Sequence, residues 1–147
     1  FNIIGDLKSL PKATVDGLSN GIKLTNSNTG LNLCLAINYG SRQEIIETVQ
    51  TIAKKVLSRK LSINEINEKL ISDLLYTSGI PDPDLLIRTS GEYRLSNFLL
   101  WQSAYTEIYM TETFWPVFRE EELLNAIYNF QLRERRFGKV SSQIKNQ

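Results

Sequence analysis

Residues 84–107 read DLLIRTSGEYRLSNFLLWQSAYTE, and the fold is settled by how that stretch changes character along its length. Leu85, Leu86 and Ile87 form an apolar run suited to a buried strand. A polar loop with Arg88, Gly91, Glu92 and Arg94 follows, and Phe98-Leu99-Leu100-Trp101 is expected to open a short helix capped by Ser96 or Asn97. Strand, polar loop and helix in that order make an α/β unit, whose ligands gather beyond the carboxyl end of the strand. A helix N-terminus there adds unpaired N–H groups and a partial positive charge. The expected site is therefore an oxyanion or phosphate cradle of two guanidiniums, a hydroxyl and free amides, with Gly91 letting the backbone approach the ligand. A solvated ion-pair cluster of Arg88, Glu92 and Arg94 is the competing reading. It fits less well, because the arginines end an apolar strand and Ser96 begins a segment too apolar for a surface loop.

Working outward, residues 1–6 read as a strand running into a turn, and residues 31–37 (LNLCLAI) as a second buried strand. Val15, Leu18, Ile22 and Leu24 give an amphipathic helix between them, weakened by Gly17 and Gly21. Ser41 with Glu44 predicts a capping box, followed by a helix to about Leu57 with Ile45, Ile46, Val49 and Ile52 inward. The turn from Asn38 to Arg42 is open to two readings, a phosphate-binding turn or an ordinary helix cap. Ser62 with Glu65 predicts another capping box and one helix burying Ile63, Ile66, Leu70, Ile71, Leu74 and Leu75. After Glu107, residues 108–111 read as a short strand, Trp115-Pro116 breaks the chain, and a last helix is expected from about Glu120 to about Arg135. Its basic end (Arg133, Arg135, Arg136, Lys139) suits a helix C-terminus. Alternating strands and helices predict an α/β fold, a three-layer α/β/α arrangement around a mainly parallel sheet.

Composition narrows the chemistry. The 147 residues are 41% apolar, enough for one domain with a core, and 17 basic against 16 acidic side chains leave a net charge of +1. Interspersed charge of that kind disfavours a nucleic-acid partner. No apolar run approaches a membrane span. The single cysteine, Cys34, lies in an apolar run and reads as a buried core thiol, which suits a reducing compartment. There is no histidine, so imidazole bases, His-based triads and His metal sites are excluded within this chain. Catalysis must use carboxylates, arginines, hydroxyls, amides and a hard cation held by oxygen.

The run from Asp84 to Gln102, with Ala104-Tyr105 and Glu107 after it, resembles the signature of the cis-prenyltransferases, most closely the bacterial undecaprenyl diphosphate synthases. Ile4-Gly5-Asp6, Asn38-Tyr39-Gly40, Trp115-Pro116 and residues 133–138 (RERRFG) extend the likeness over essentially the whole chain. The resemblance implies condensation of isopentenyl diphosphate with an allylic diphosphate such as farnesyl diphosphate, with Mg2+, in a homodimer. It implies that Arg88, Arg94, the Leu95 backbone and Ser96 hold the isopentenyl diphosphate headgroup, that Glu92 belongs to the same catalytic network, and that Glu107 helps coordinate Mg2+. Arg136 would reach the partner subunit's diphosphate site. It further implies a cytoplasmic enzyme touching the membrane peripherally through its lipid product. The family's Asp-Gly-Asn motif, whose aspartate serves the allylic diphosphate, has no counterpart in these residues. Residues 1–147 are accordingly expected to be the carboxyl-terminal portion of one catalytic domain, lacking its first strand and helices and inactive alone. A non-catalytic partner subunit that binds polyprenyl diphosphate is the alternative, disfavoured by the intact Arg88, Glu92, Arg94 and Ser96 set.

Overall fold

The computed structural model of the chain describes residues 1–133, and the expected Arg136 lies outside them. It is an α/β fold in which the strands of each described ladder run parallel. The described residues group into two compact units, Phe1–Pro81 with Asn97–Leu99, and Asp82–Ser96 with the chain from Leu100 onward.

In the first unit β1 (Asn2–Ile4) pairs with β2 (Cys34–Ala36), Asn2 beside Cys34 and Ile4 beside Ala36. The connection between them is α1 (Lys12–Thr25), which runs through Gly17 and Gly21 without a break. β2 is shorter and wetter than the buried strand expected over 31–37: Leu31 is 92% and Leu33 49% exposed. A strand is buried only when layers cover both its faces, and among the described residues β2 is paired along one edge alone.

The helix expected after Tyr39 is α2 (Ser41–Leu57), but two details differ. Gly40, not Ser41, is its N-cap, and the Ser41–Glu44 capping box does not form. Glu44 turns inward instead, 1% exposed, and accepts hydrogen bonds from Tyr39 Oη and the Tyr76 backbone N, each at 2.7 Å. The buried stripe is thereby rotated from the predicted one. Ser41, Glu44, Thr48 and Ile52 face inward, while Ile46 and Val49 are exposed. Ser62 and Glu65 do form their capping box, yet it starts only a 3-10 turn, Ile63–Glu65. Asn67 then accepts from Leu70 N at 2.9 Å and caps a second start, α3 (Glu68–Ser72). One expected helix is two pieces, since an asparagine side chain competes with the helical hydrogen bond at its own position. Of the predicted stripe, Leu75 is buried and Ile63 is exposed.

Around Glu44 the phenols are hard to ionise. Burial first, then the hydrogen bond to Glu44, pushes Tyr39 up to about 12, while the Ser41 hydroxyl and the Leu99 amide work against the rise. Burial and the hydrogen bond to Glu47 raise Tyr76 in the same way. The folded state thus keeps protons that the unfolded chain loses near pH 10.0. This stabilisation is complete below that pH and is lost as pH rises through about 12. The urea midpoint should therefore fall across that window, and fall less steeply in Tyr39→Phe; an equal slope in the variant would remove Tyr39 as the cause.

In the second unit β3 (Leu85–Arg88) pairs with β4 (Glu107–Met110), Leu85 beside Glu107 and Arg88 beside Met110. A 3-10 turn, Trp115–Val117, follows around Pro116, and α4 (Glu120–Gln131) begins where Arg119 N donates to Glu122 Oε2 at 2.8 Å. That bond holds the Glu122 carboxyl below its usual range. α4 ends before the expected Arg135, and its Ala126 is wholly buried.

Candidate active site

β3 delivers Arg88 to its carboxyl end, as the sequence predicts. The loop beyond it folds back on the chain that continues β4. Ser90 N donates to Thr113 O and Gly91 N to Thr111 O, each at 2.9 Å, and Thr111 N donates to Arg88 O at 2.9 Å. The amides of Ser90 and Gly91 are therefore spent on backbone pairing.

Gly91 is needed at this position, though for another reason than the one expected. Its φ is +66°, and a Cβ would collide with the Glu112 carboxylate. The group that lies against the Gly91 backbone is the Glu112 carboxylate. Glu112 also accepts from Tyr93 Oη at 3.2 Å. Sequence reasoning passed over Glu112; its signal was position, since a strand parallel to β3 carries residues just after Met110 to the carboxyl end of the ladder.

Arg94 is ion-paired with Glu92, the arginine side chain 65% and the glutamate 34% exposed. Such a pair adds little stability; it lies in the loop that follows Arg88 in the chain. Leu95 is half-buried and Ser96 exposed.

No helix forms between β3 and β4; residues 96–105 are turns and bends. Ser96, Asn97 and Leu99 have φ of +50°, +61° and +47°, left-handed values that a right-handed helix cannot include. The helix-terminus donors expected behind Ser96 are thus absent. Asn97 does cap a helix, but that helix is α2. Within the first unit, Ser41 N donates to Asn97 O at 2.8 Å and Arg42 N to Asn97 Oδ1 at 2.9 Å. These bonds decide between the two readings of the Asn38 to Arg42 turn: it is a helix cap, closed by the chain itself.

Glu107 opens β4 beside Leu85, at the end of the ladder opposite Arg88. Three residues separate the two levels, about 10 Å along the strands. Side chains alternate faces, so Glu107 shares the face of Leu85 and Ile87 while Arg88 shares that of Leu86. Its Oε2 accepts from Arg133 Nη1 at 2.9 Å, and the same nitrogen donates to Ile108 O at 2.9 Å. Arg133 is more than the dipole partner expected from its place at a helix end. It ties the end of α4 to β4, and Asn129 Oδ1 steadies it.

Among the described residues there is no cluster of three or more acidic, cysteine or histidine side chains. Mg2+ in diphosphate sites is held by one or two carboxylates, with phosphate oxygens and water completing six positions. The half-buried Glu107 carboxylate fits that role in kind. A cleft of about 490 Å3 in the first unit, lined by Phe1, Asn2, Ile22, Thr25, Asn28 and Leu33 among others, carries no charged side chain and does not suit a diphosphate.

Residues 1–138 match the profile of the family described as "Putative undecaprenyl diphosphate synthase". The chain belongs to that family. It is 49% identical over 144 residues to an isoprenyl transferase of Geobacter sulfurreducens, covering 98% of this chain and 58% of that one. It is 52% identical over 141 residues to an isoprenyl transferase of Geobacillus kaustophilus, covering 96% and 55%. Two solved structures share the fold. One is lavandulyl diphosphate synthase from Lavandula x intermedia in complex with dimethylallyl diphosphate, with a TM-score of 0.91, 41% identity and coverage of 95% of this chain and 60% of that one. The other is a "probable undecaprenyl diphosphate synthase" from Campylobacter jejuni, with a TM-score of 0.78, 39% identity and coverage of 93% and 62%. The chain therefore spans a little over half the length of the curated isoprenyl transferases it matches.

Proposed function

We propose that the protein works as a cis-prenyltransferase, joining isopentenyl diphosphate units to an allylic diphosphate such as farnesyl diphosphate to build a polyprenyl diphosphate of the undecaprenyl type. The observation that carries this reading is Arg88 at the carboxyl end of β3 with Arg94, held by Glu92, in the loop directly after it. Membership of the family supports it over the whole matched length.

The roles follow from the chemistry of the headgroup. A diphosphate is multiply charged and presents oxygens in pairs, which planar guanidiniums meet with two parallel bonds. Arg88 and Arg94 bind the isopentenyl diphosphate, Ser96 and the Leu95 backbone add polar contacts, and Glu92 orients Arg94. The allylic C–O bond ionises and its diphosphate leaves with the electron pair. The terminal carbon of the isopentenyl double bond attacks the resulting cation, leaving a new cationic centre on its neighbour, and a proton is lost from the methylene between that centre and the carbon that bears the diphosphate. That proton needs only a weak base, so a chain without histidine is no worse equipped. Charge develops on the leaving allylic diphosphate, and donors already aimed at that group lower the barrier without reorganising, while Arg88 and Arg94 hold the isopentenyl partner in place for attack. Glu107 would be a ligand for Mg2+, which would supply charge compensation for a diphosphate; its carboxylate stands at the end of the ladder away from Arg88, so the metal it held would not lie beside the Arg88 guanidinium.

Homodimerisation, with Arg136 serving the partner subunit, belongs to the same proposal, as does a cytoplasmic enzyme that meets the membrane through its lipid product. No helix among the described residues is long and apolar enough to cross a membrane. Because these residues hold no Asp-Gly-Asn motif, the chain by itself should bind isopentenyl diphosphate without turning it over. Calorimetric titration with isopentenyl diphosphate tests the first half, and incorporation assays on the chain and on a chimera carrying the amino-terminal part of a curated relative test the second. Absence of binding would sink the proposal. In the active chimera Glu107→Gln should raise the Mg2+ concentration for half-maximal turnover about tenfold, the loss expected for a metal-site group. An unchanged Mg2+ requirement would take Glu107 out of the metal site.

A further inference from the structure

We infer that Asn97 is a positioning residue, clamping the left-handed stretch after Ser96 onto the N-terminus of α2; its effect on substrate rests on the diphosphate reading above. Ser96, Asn97 and Leu99 all hold positive φ. Residues with a Cβ stay in that region only where their surroundings over-determine it. The first unit supplies that constraint at Asn97–Leu99. Both Asn97 oxygens are engaged, the carbonyl by Ser41 N at 2.8 Å and Oδ1 by Arg42 N at 2.9 Å. With Oδ1 committed to Arg42, Nδ2 lies over Gly40, where a Cβ would come within 2.8 Å of it. Gly40 has a φ of −154°, extended backbone that alanine adopts freely. A side chain at position 40 would thus have to displace the Asn97 amide, whereas the backbone conformation itself imposes no need for glycine. Next along the chain, Phe98 sets its ring edge-on to Tyr39 at 5.7 Å, and Tyr39 is anchored in turn by Glu44.

One residue thus does two things: its backbone carbonyl and its side chain each satisfy one of the open donors of α2, and it fixes the backbone into which the chain passes directly from Arg94, Leu95 and Ser96. A serine or threonine at position 97 could cap, but not cover Gly40 with a second polar arm. An aspartate could do the first and keep the length of the second. Conversely, an alanine at position 40 would push the Asn97 amide aside and break the bond to Arg42 N. Gly40 and Asn97 therefore form one device, and damaging either should have the same consequence.

The test is amide hydrogen exchange at Ser41 and Arg42, with isopentenyl diphosphate binding by calorimetry, on the whole chain and on Asn97→Ala, Asn97→Asp, Gly40→Ala and the Gly40→Ala/Asn97→Ala pair. Asn97→Ala, which removes the acceptor of the Arg42 amide and keeps the backbone carbonyl that Ser41 N reaches, should speed exchange at Arg42 about tenfold and weaken binding about tenfold, the scale of a lost helix cap. Asn97→Asp, which keeps the acceptor, should stay within about twofold of the parent in both. Gly40→Ala should resemble Asn97→Ala, and the double variant should be no worse than either single one. Unchanged exchange in Asn97→Ala, additive effects in the double variant, or faster exchange with unaltered binding would each overturn the inference. If the parent chain binds no isopentenyl diphosphate, it is the diphosphate reading that has failed. Exchange rates and the double-variant comparison, read through melting temperature, then decide the clamp by the same criteria.

Discussion

Arg94→Ala should weaken isopentenyl diphosphate binding about a hundredfold, while the fold and melting temperature of the chain stay as they are. Charge-assisted hydrogen bonds contribute about 1.5–3 kcal/mol each, so losing a bidentate pair from a diphosphate costs at the low end about 3 kcal/mol, roughly two orders of magnitude in affinity, and the solvent-exposed position of the guanidinium keeps the effect at that low end. The guanidinium is 65% exposed and its partner Glu92 is 34% exposed, so the pair itself adds little to stability. Arg94→Lys should recover only a small part, because an ammonium cannot reproduce the two parallel bonds. Glu92→Gln should cost less, about tenfold, since it removes the group that holds the guanidinium and leaves the guanidinium present. Calorimetry on the chain reads these affinities, and kcat/KM in the chimera reads their consequence for turnover. Equal affinity in Arg94→Ala and parent would return Arg94 and Glu92 to the status of a surface ion pair.

Glu44→Ala should be the most destabilising single change in the first unit. The carboxylate is 1% exposed and receives Tyr39 Oη and Tyr76 N, both at 2.7 Å. Removing it strands two donors, and each stranded group costs about 1–3 kcal/mol. A combined loss of about 3 kcal/mol corresponds to a fall in melting temperature of roughly 15 °C for a unit of this size. Glu44→Gln retains one acceptor and should lose about half as much. An ultraviolet titration adds a signature that packing alone would not give: Tyr39 should ionise at lower pH in Glu44→Ala, because one cause of its raised value has been removed. A variant that melts with the parent would show that water or another side chain takes over both donors.

The legible parts of this protein were those with a local cause. β3 over Leu85–Arg88 followed from an apolar run ending in a charged residue, and β4 at Glu107–Met110 came within one residue of its expected place. α1, α2 and the start of α4 followed from helical spacing, and the Ser62–Glu65 box formed as written. What went astray depended on partners far along the chain. The helix expected behind Ser96 lost to left-handed dihedrals that α2 enforces through Asn97, fifty-five residues from Arg42. The predicted Ser41–Glu44 box lost to two tyrosine-segment donors that captured Glu44. Gly91 was rightly singled out for close approach, but only the fold could show that the approaching group is Glu112.

By itself, then, the sequence determined the α/β class, the order of the strands, the helices α1, α2 and α4 and the family, because these depend on period, composition and short-range spacing. Only the tertiary structure decided that Glu107 meets Arg133 at the opposite end and face of the ladder from Arg88, and that Asn97 closes α2. The reason is physical. Parallel register and trans-capping are set by contacts between residues distant in sequence, and no local pattern encodes which of several competing acceptors a buried donor will finally reach.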